Sequence, residues 1–186
     1  MRTKWIAGVL VATAFICAAH AVAQDEGKTE ASRLASESQA SLQKLYSSVD
    51  LAKQLGPKAQ AILVFSKVTK AGFGIGGQYG EGSLLKGGTA VAYYKTTGAS
   101  FGLQAGGQQY GYAMFFMNAK ALDDFVNASG FEVGVGPSVV LVDEGMAKST
   151  TTATLKDDIY AFIFGQKGLM AGLGIQGNKI TKITPK

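Results

Sequence analysis

Cysteine, histidine and tryptophan are almost missing from this sequence of 186 residues. Each occurs once, as Trp5, Cys17 and His20, all among the first 20 positions. The rest of the chain therefore has no thiol for a disulfide and no imidazole for acid–base chemistry or metal binding near neutral pH. Ser-His-Asp and Cys-His catalytic sites are excluded there, and so are zinc sites built on those ligands.

The first 23 residues have the pattern of a secretory signal peptide. Arg2 and Lys4 form a basic start, an apolar stretch follows from Trp5 to Ile16, and Ala21-Val22-Ala23 matches the A-x-A cleavage pattern. We predict cleavage after Ala23, with Ala21 as the second choice. The protein is then expected in the periplasm or cell envelope of a bacterium.

Two other readings of this leader are disfavoured. An uncleaved membrane anchor would need a better apolar run than one ending in alanines and the polar His20. Lipoprotein anchoring through Cys17 would need a small residue directly before the cysteine, and the bulky Ile16 stands there.

Charge after the leader is mildly positive and carried almost entirely by lysine. The formal net charge is +5 for the whole chain and +3 without Arg2 and Lys4, and Arg33 is then the only arginine. Lysine suits diffuse attraction to phosphates, whereas arginine suits bidentate recognition. The pattern favours anionic lipid or polymer over nucleic acid, and mere solubility is the simpler alternative.

A long helix is predicted over Thr29 to Leu55, ending at Gly56-Pro57. Its apolar residues recur at helical spacing, at Leu42, Leu45, Tyr46, Val49 and Ala52. Such a stripe favours packing on the helix's own domain over lying on a membrane. The first half, around Ala31 to Ser41, is poor in large apolar residues, so we expect it to be mobile.

The chain beyond this helix is rich in segments that alternate glycine with apolar residues. Four of them are Gly72–Gly76, Ser100–Gly106, Glu132–Gly136 and Ala171–Ile175. A period of two predicts strands with large side chains on one face and glycine on the other. Glycine destabilises strands, so its repeated use indicates close backbone approach or tight sheet curvature.

Other patterns complete a prediction of α+β architecture, with an N-terminal helix, a mainly antiparallel, glycine-rich curved sheet or partial barrel, and one or two further helices. A helix is predicted from Asn118 as N-cap to about Ala128. The remaining strands are predicted at Ile62–Phe65, Ala90–Lys95, Tyr110–Met117, Val139–Val142, Ile159–Phe164 and Lys179–Ile183. Turns are predicted at Lys86–Gly88, Asp143–Gly145, Gly165–Gly168 and between Phe65 and Gly72.

Several short matches to functional motifs are not supported, because the rest of the sequence lacks the features that each motif requires. Gly72-x-Gly74-x-x-Gly77 fits the dinucleotide fingerprint, but no helix pattern follows it. Ser100 sits in a G-x-S-x-G match without a histidine to activate it, so we interpret it as structural. Ser83-x-x-Lys86 lacks its partner motifs, and no carboxylate pair has calcium-loop spacing. We predict a protein without catalytic residues, metal or cofactor.

Several ordered blocks together resemble the SYLF domain over about Ala59 to Thr184. They are Ala61–Phe65, Lys67–Gly77, Ser100–Gly106, Gly134–Pro137 and Tyr160–Leu169. Eukaryotic members of that family are endocytic adaptors that bind phosphoinositide membranes and bundle actin, and bacterial members are exported proteins. The resemblance implies lipid binding without catalysis. Actin and phosphoinositides enter by family analogy alone, because export removes them as everyday partners.

The leader pattern, the predicted helix and the resemblance together divide the chain into a signal peptide (1–23), an N-terminal helical segment (24–58) and a SYLF-like domain (59–186). We predict a peripheral protein that binds anionic membrane lipid. The candidate lipid-binding residues are Lys67, Lys70, Lys148, Lys156 and Lys167, which lie in or beside predicted turns.

Two alternatives stay open. One is a structural or interaction module that binds another cell-envelope protein. The other is an integral outer-membrane protein, disfavoured because the predicted strands look short for spans of about 9–11 residues.

The leader makes a direct prediction: the exported protein begins at or near Gln24, because the A-x-A pattern ends at Ala23. N-terminal sequencing of the exported form measures this. An intact Met1 recovered in the membrane fraction would contradict the prediction.

Overall fold

Helices at the N-terminus and a curled, mostly antiparallel sheet make up the part of the chain that the computed structural model describes, namely residues 29–132, 139–142, 156–168 and 178–186. The predicted α+β class is confirmed. The helices are α1 (Glu30–Ser48), α2 (Asp50–Leu55) and α3 (Ala119–Asn127), with a 3-10 turn at Gly56–Lys58. The strands are β1 (Ala61–Lys86), β2 (Thr89–Phe116), β3 (Phe131–Glu132), β4 (Val139–Val142), β5 (Ile159–Gly168) and β6 (Lys179–Ile183).

The single helix predicted over Thr29 to Leu55 is two helices in the structure. Thr29 caps α1 by accepting a hydrogen bond from the Ser32 amide at 3.3 Å. Val49 then leaves the helical region, with φ −132° and ψ 100°, and α2 begins at the next residue. The break turns α2 so that Leu51 and Leu55 join the same core as α1.

The first half of α1 is anchored to the rest of the domain, which argues against the expected mobility. Ser38 is fully buried, and its hydroxyl donates to the Val64 carbonyl at 3.1 Å. The Gln39 amide donates to the Gly88 carbonyl at 2.7 Å. Polar bonds to the backbone of β1 and of the turn after it thus supplement Leu34, the one large apolar side chain of this half, which is also buried. In the second half, Leu42 and Leu45 are buried, which confirms that α1 packs on its own domain.

β1 and β2 form one long hairpin rather than several short strands. They pair from Ala61 opposite Phe116 to Lys86 opposite Thr89, and Gly87 and Gly88 make the turn with φ of 57° and 83°. Two positive φ values in a two-residue loop are typical of the type I′ turn, which needs glycine. The predicted turn at Lys86–Gly88 is confirmed.

The turn predicted between Phe65 and Gly72 is absent, because β1 runs through it with only a register irregularity between Phe65 and Val68. The two lysines, Lys67 and Lys70, are typical of a loop, but strand pairing to β2 continues through them, with Lys70 opposite Gln108. The turn predicted at Gly165–Gly168 is also wrong. β5 extends to Gly168, with Gly165 at φ 61°.

The long hairpin is folded back on itself, and glycines make this possible. A Cβ atom on Gly80 would lie 2.9 Å from the Lys67 carbonyl oxygen, and one on Gly82 would overlap the Val64 carbonyl. At the bend, a Cβ on Gly72 would lie 2.6 Å from the Ile75 oxygen and overlap Gly76. The predicted role of glycine in close backbone approach is therefore confirmed for these strands.

The free edge of β2 holds the shorter strands at its two ends. β6 pairs with Tyr93–Thr97 and β5 with residues 108–116, both antiparallel. β4 joins β5 in parallel, and β3 joins β6. The predicted turn at Asp143–Gly145, the strand at Ala171–Ile175 and most of the one at Glu132–Gly136 lie outside the described residues.

Two apolar clusters cover the two faces of the sheet. The outer cluster joins α1 and α2 to Ile62, Val64 and Phe115. The inner cluster centres on Phe125 of α3, whose ring centroid lies 4.8 Å from that of Phe116 and 4.9 Å from that of Tyr94. Asn118 caps α3 by accepting from the Ala121 amide at 2.9 Å, as predicted. Among the described helices, none combines the length and apolarity needed to cross a membrane.

We predict that Gly82→Ala destabilises the fold by about 1–3 kcal/mol, because the new methyl group meets strand backbone that cannot rotate away. Gly77→Ala is the matched control. It lies in the same strand, and its Cβ would meet nothing closer than the Gly98 oxygen at 3.8 Å. Urea unfolding of both variants measures the difference. Equal stability of the two would contradict the glycine contact.

Candidate functional site

Three lysines from three different elements line one open groove. Lys44 comes from α1, Lys67 from β1 and Lys167 from β5. All three are exposed. Gln109 and Phe164 complete its walls. The fold thus collects on one surface cations that are far apart in the sequence.

Lys67 owes its position to the irregularity that follows Phe65. Strand pairing to β2 skips from Phe65 to Val68, which leaves Lys67 exposed while Phe65 and Val68 stay buried. Lys70 lies three residues further along the same strand and is only 5% exposed. Residues an odd number apart in a strand face opposite ways, so Lys67 and Lys70 do not share an edge.

The floor of the groove is built by close packing around two glycines. The Phe164 ring lies over Gly111, whose Cβ would be 2.6 Å from the ring Cζ. Gly165 holds a positive φ of 61°, and a Cβ built there would be 3.9 Å from the Lys44 ammonium nitrogen. The Lys44 side chain therefore reaches across from α1 to the backbone of β5.

The groove is small and positively charged. Its volume of about 170 Å³ is below the 300–1,000 Å³ usual for drug-sized ligands, which suits a phosphate-sized group. Ion pairs between side chains within the described ranges join Arg33 to Glu30 and Glu37, and Lys120 to Asp124. None of these pairs involves a groove lysine, but the Glu37 carboxylate accepts a hydrogen bond at 3.4 Å from Ser66, which also lines the groove.

Comparison with known proteins finds a family model that matches the C-terminal part of the chain. Residues 97–184 match the Ysc84 family, described as Las17-binding protein actin regulator. This stretch of the chain is therefore similar to a SYLF domain. The match confirms the resemblance seen in the sequence and covers just under half of the chain, from within β2 through β6. No curated protein matches the chain significantly.

The SYLF family is a lipid-binding and actin-regulating module and is not a known enzyme family. The match includes Lys167 of the groove, whereas Lys44 and Lys67 precede it. In the parts of the chain that the structure describes, no cluster of three His, Cys, Asp or Glu residues could hold a metal ion.

The five lysines singled out from the sequence are not brought together as a set. Lys67 and Lys167 share the groove, and Lys70 is buried on the other face of β1. Lys156 is exposed just before β5, whereas Lys167 is near the other end of that strand, about 30–35 Å away at strand rise. Lys148 lies outside the described residues.

Sequence reasoning missed Lys44, although it found Lys67 and Lys167. Lys44 lies within the amphipathic helix, between the apolar positions Leu42 and Leu45. A polar residue at such a position is typical of any exposed helix face. Only the packing angle of α1 on β1 brings this cation beside Gly165.

A band of buried polar residues crosses the inner face of the sheet beyond the apolar cluster. The Tyr110 hydroxyl donates to Gln78 Oε1 at 3.3 Å, and burial raises the pKa of Tyr110 to about 12. Gln78 Nε2, Thr96 Oγ1 and Gln108 Oε1 are buried without a hydrogen-bond partner among the residues described. Buried polar atoms of this kind are costly, so the band contributes less to stability than the apolar cluster beside it.

A second cavity, of about 430 Å³, lies on the other side of α1. It is lined mainly by apolar groups such as Leu42, Tyr46, Ile62 and Leu85, and Lys53 is the one cation among its described lining residues. An anionic group would find three lysines in the groove but one here. The groove is therefore the better candidate for binding phosphate chemistry.

We predict that Lys44→Gln, Lys67→Gln and Lys167→Gln each change the free energy of unfolding by less than about 0.5 kcal/mol, because these side chains are exposed and form no ion pair with described residues. Lys70→Gln should cost about 1–3 kcal/mol, because that side chain is buried. Urea titrations measure all four. A large loss for the groove variants would indicate that these lysines are structural.

Proposed function

We propose that the SYLF domain of this chain is an exported, non-enzymatic module that binds anionic membrane lipid peripherally through the lysine groove. The observation that carries the proposal is the convergence of Lys44, Lys67 and Lys167 on one small exposed site. Each lysine held near an anionic surface contributes roughly 1 kcal/mol. Three of them together should give a measurable affinity for an anionic membrane, and this affinity should fall as salt is added.

The predicted signal peptide indicates which membranes the protein would meet. A chain exported to the periplasm or cell envelope meets membranes rich in anionic headgroups but no nucleic acid and no actin. Phosphate oxygens of a headgroup would lie among the three ammonium groups, and the Phe164 ring and Gly165 backbone would form the base of the site. A phosphate group fits the size of the groove, whereas a whole lipid would extend out of it towards the bilayer.

A protein partner is the second candidate, and the family description supports it, since Ysc84 is described as Las17-binding. For an exported chain such a partner would be another cell-envelope protein. An acidic segment of that protein could occupy the same groove, because carboxylates and phosphates attract lysine in the same way.

Sedimentation with vesicles tests the proposal. We expect the protein to bind vesicles of equal parts phosphatidylglycerol and phosphatidylcholine at about 50 mM salt, and to be released at about 500 mM. Lys44→Glu, Lys67→Glu and Lys167→Glu combined should weaken binding at least about a hundredfold, since roughly 3 kcal/mol of attraction is lost.

The matched control is Lys58→Glu, Lys86→Glu and Lys182→Glu combined, which changes the net charge equally at exposed lysines outside the groove. It should retain most of the binding. Equal weakening by both triple variants would mean diffuse attraction rather than a site. No binding by the wild-type protein at low salt would contradict the lipid proposal and favour a protein partner.

A further inference from the structure

Two large apolar side chains project into solvent at the bend of the long hairpin. Phe73 is 87% exposed and Ile75 is 68% exposed, and both lie on the outer face of β1. We refer to Phe73–Ile75 as the apolar corner. Isolated exposed apolar residues are common, but two so fully exposed and so close together are the kind of feature that marks an interaction surface.

The corner is exposed because of how the glycines are arranged. Residues of β1 alternate here, so that Gly72 and Gly76 face inwards while Phe73 and Ile75 face outwards. The inward glycines let the backbone bend sharply, with Gly72 almost touching Gly76. This arrangement reverses the usual one, in which the large apolar face of a strand is buried.

Pairing with β2 is irregular at the same place. Phe73 pairs with Ala105 and Ile75 with Phe101, so β2 contributes two more residues than β1 across the corner. The neighbouring Gly106 has a φ of 132°, which favours glycine. The backbone conformation of both strands therefore produces the bend, and the bend directs the apolar corner towards solvent.

The corner lies on the same part of the sheet as the lysine groove. Phe73 pairs with Ala105, and Lys167 pairs with Gln109, four residues further along β2. At the rise of a strand this separation is about 13 Å. The sequence has no carboxylate from Ser66 to Gly80 or from Thr96 to Leu122, so nothing in these segments repels an anionic surface.

We propose that the apolar corner inserts into the interfacial layer of the anionic membrane on which the lysine groove docks. This inference rests on the proposed function and adds the element that enters the bilayer. Apolar side chains beside lysines are the combination by which peripheral proteins hold a membrane interface, with charge bringing the protein to the surface and the apolar groups anchoring it. The membrane is favoured over a second copy of the chain, because the neighbouring groove is cationic and would repel its own copy.

The chain offers a clean fluorescence test, because Trp5 in the leader is its only tryptophan. In a Trp5→Phe background, Phe73→Trp places a single probe at the corner. On vesicles of phosphatidylglycerol and phosphatidylcholine we expect its emission to shift to the blue and to be quenched by brominated acyl chains. Val91→Trp is the matched control at another exposed apolar site, 57% exposed and near the hairpin turn, and it should stay unquenched.

The outcomes separate the two proposals. Sedimentation with a quenched probe at position 73 supports both of them. Sedimentation with an unquenched probe at position 73 contradicts insertion and leaves the groove as the lipid site. Absence of sedimentation at low salt contradicts the proposed function itself. A blue shift that grows with protein concentration without vesicles would mean that the corner binds a second copy, and would overturn the inference.

A second variant provides an independent measurement. Phe73→Ser with Ile75→Ser removes the apolar groups from an exposed site, so the melting temperature should stay close to that of the wild type. Vesicle affinity should fall about tenfold or more, and the remaining binding should be released by less salt, because charge alone then holds the protein. Unchanged affinity with unchanged salt release would contradict insertion.

Discussion

Direct contact between two stretches of backbone in the same strand determines the shape of this domain. Gly80 and Gly82 lie so close to residues 64–68 that neither has room for a side chain. Sheets that pack through side chains lie about 10 Å apart, so this contact doubles the hairpin over far more tightly than ordinary packing allows. Glycine weakens a strand, and the anchoring of α1 against Val64 and Gly88 offsets that weakness from outside.

The proposed function depends on that fold-back in two ways. It leaves the outer face of β1 covered by α1 at one end, where Ile62 and Val64 are buried, and open at the bend, where Phe73 is exposed. It also fixes the edge where α1, β1 and β5 meet, so that their lysines line one groove. The apolar corner thus follows from the bend, and the groove lies on the same part of the sheet, where the irregularity after Phe65 exposes Lys67. The inner face meanwhile becomes polar towards the bend, where Gln78 and Gln108 lie.

Much of the fold could be predicted from the sequence, because local rules decide it. The cap at Asn118, the turn at Gly87-Gly88 and the close approach of glycine backbone all follow from residue chemistry. Strand length could not be predicted, because lysines and glycines that look like loop residues are held in the ladder by pairing with β2. The groove was only partly predictable for the same reason. Lys67 was found as a surface cation, but its neighbours Lys44 and Lys167 are set by tertiary packing.

The fold-back of β1 can be measured directly by the distance between spin labels at Lys67→Cys and Glu81→Cys, in a chain whose Cys17 is replaced by serine. A straight strand would separate these positions by about 46 Å. The structure instead puts Gly80 against the Lys67 carbonyl. We expect a distance below roughly 20 Å, the scale of neighbouring strands plus the two label arms. A distribution centred at about 40 Å or more would mean an extended hairpin, and would contradict both the fold-back and the fixed relation of groove and corner that rests on it.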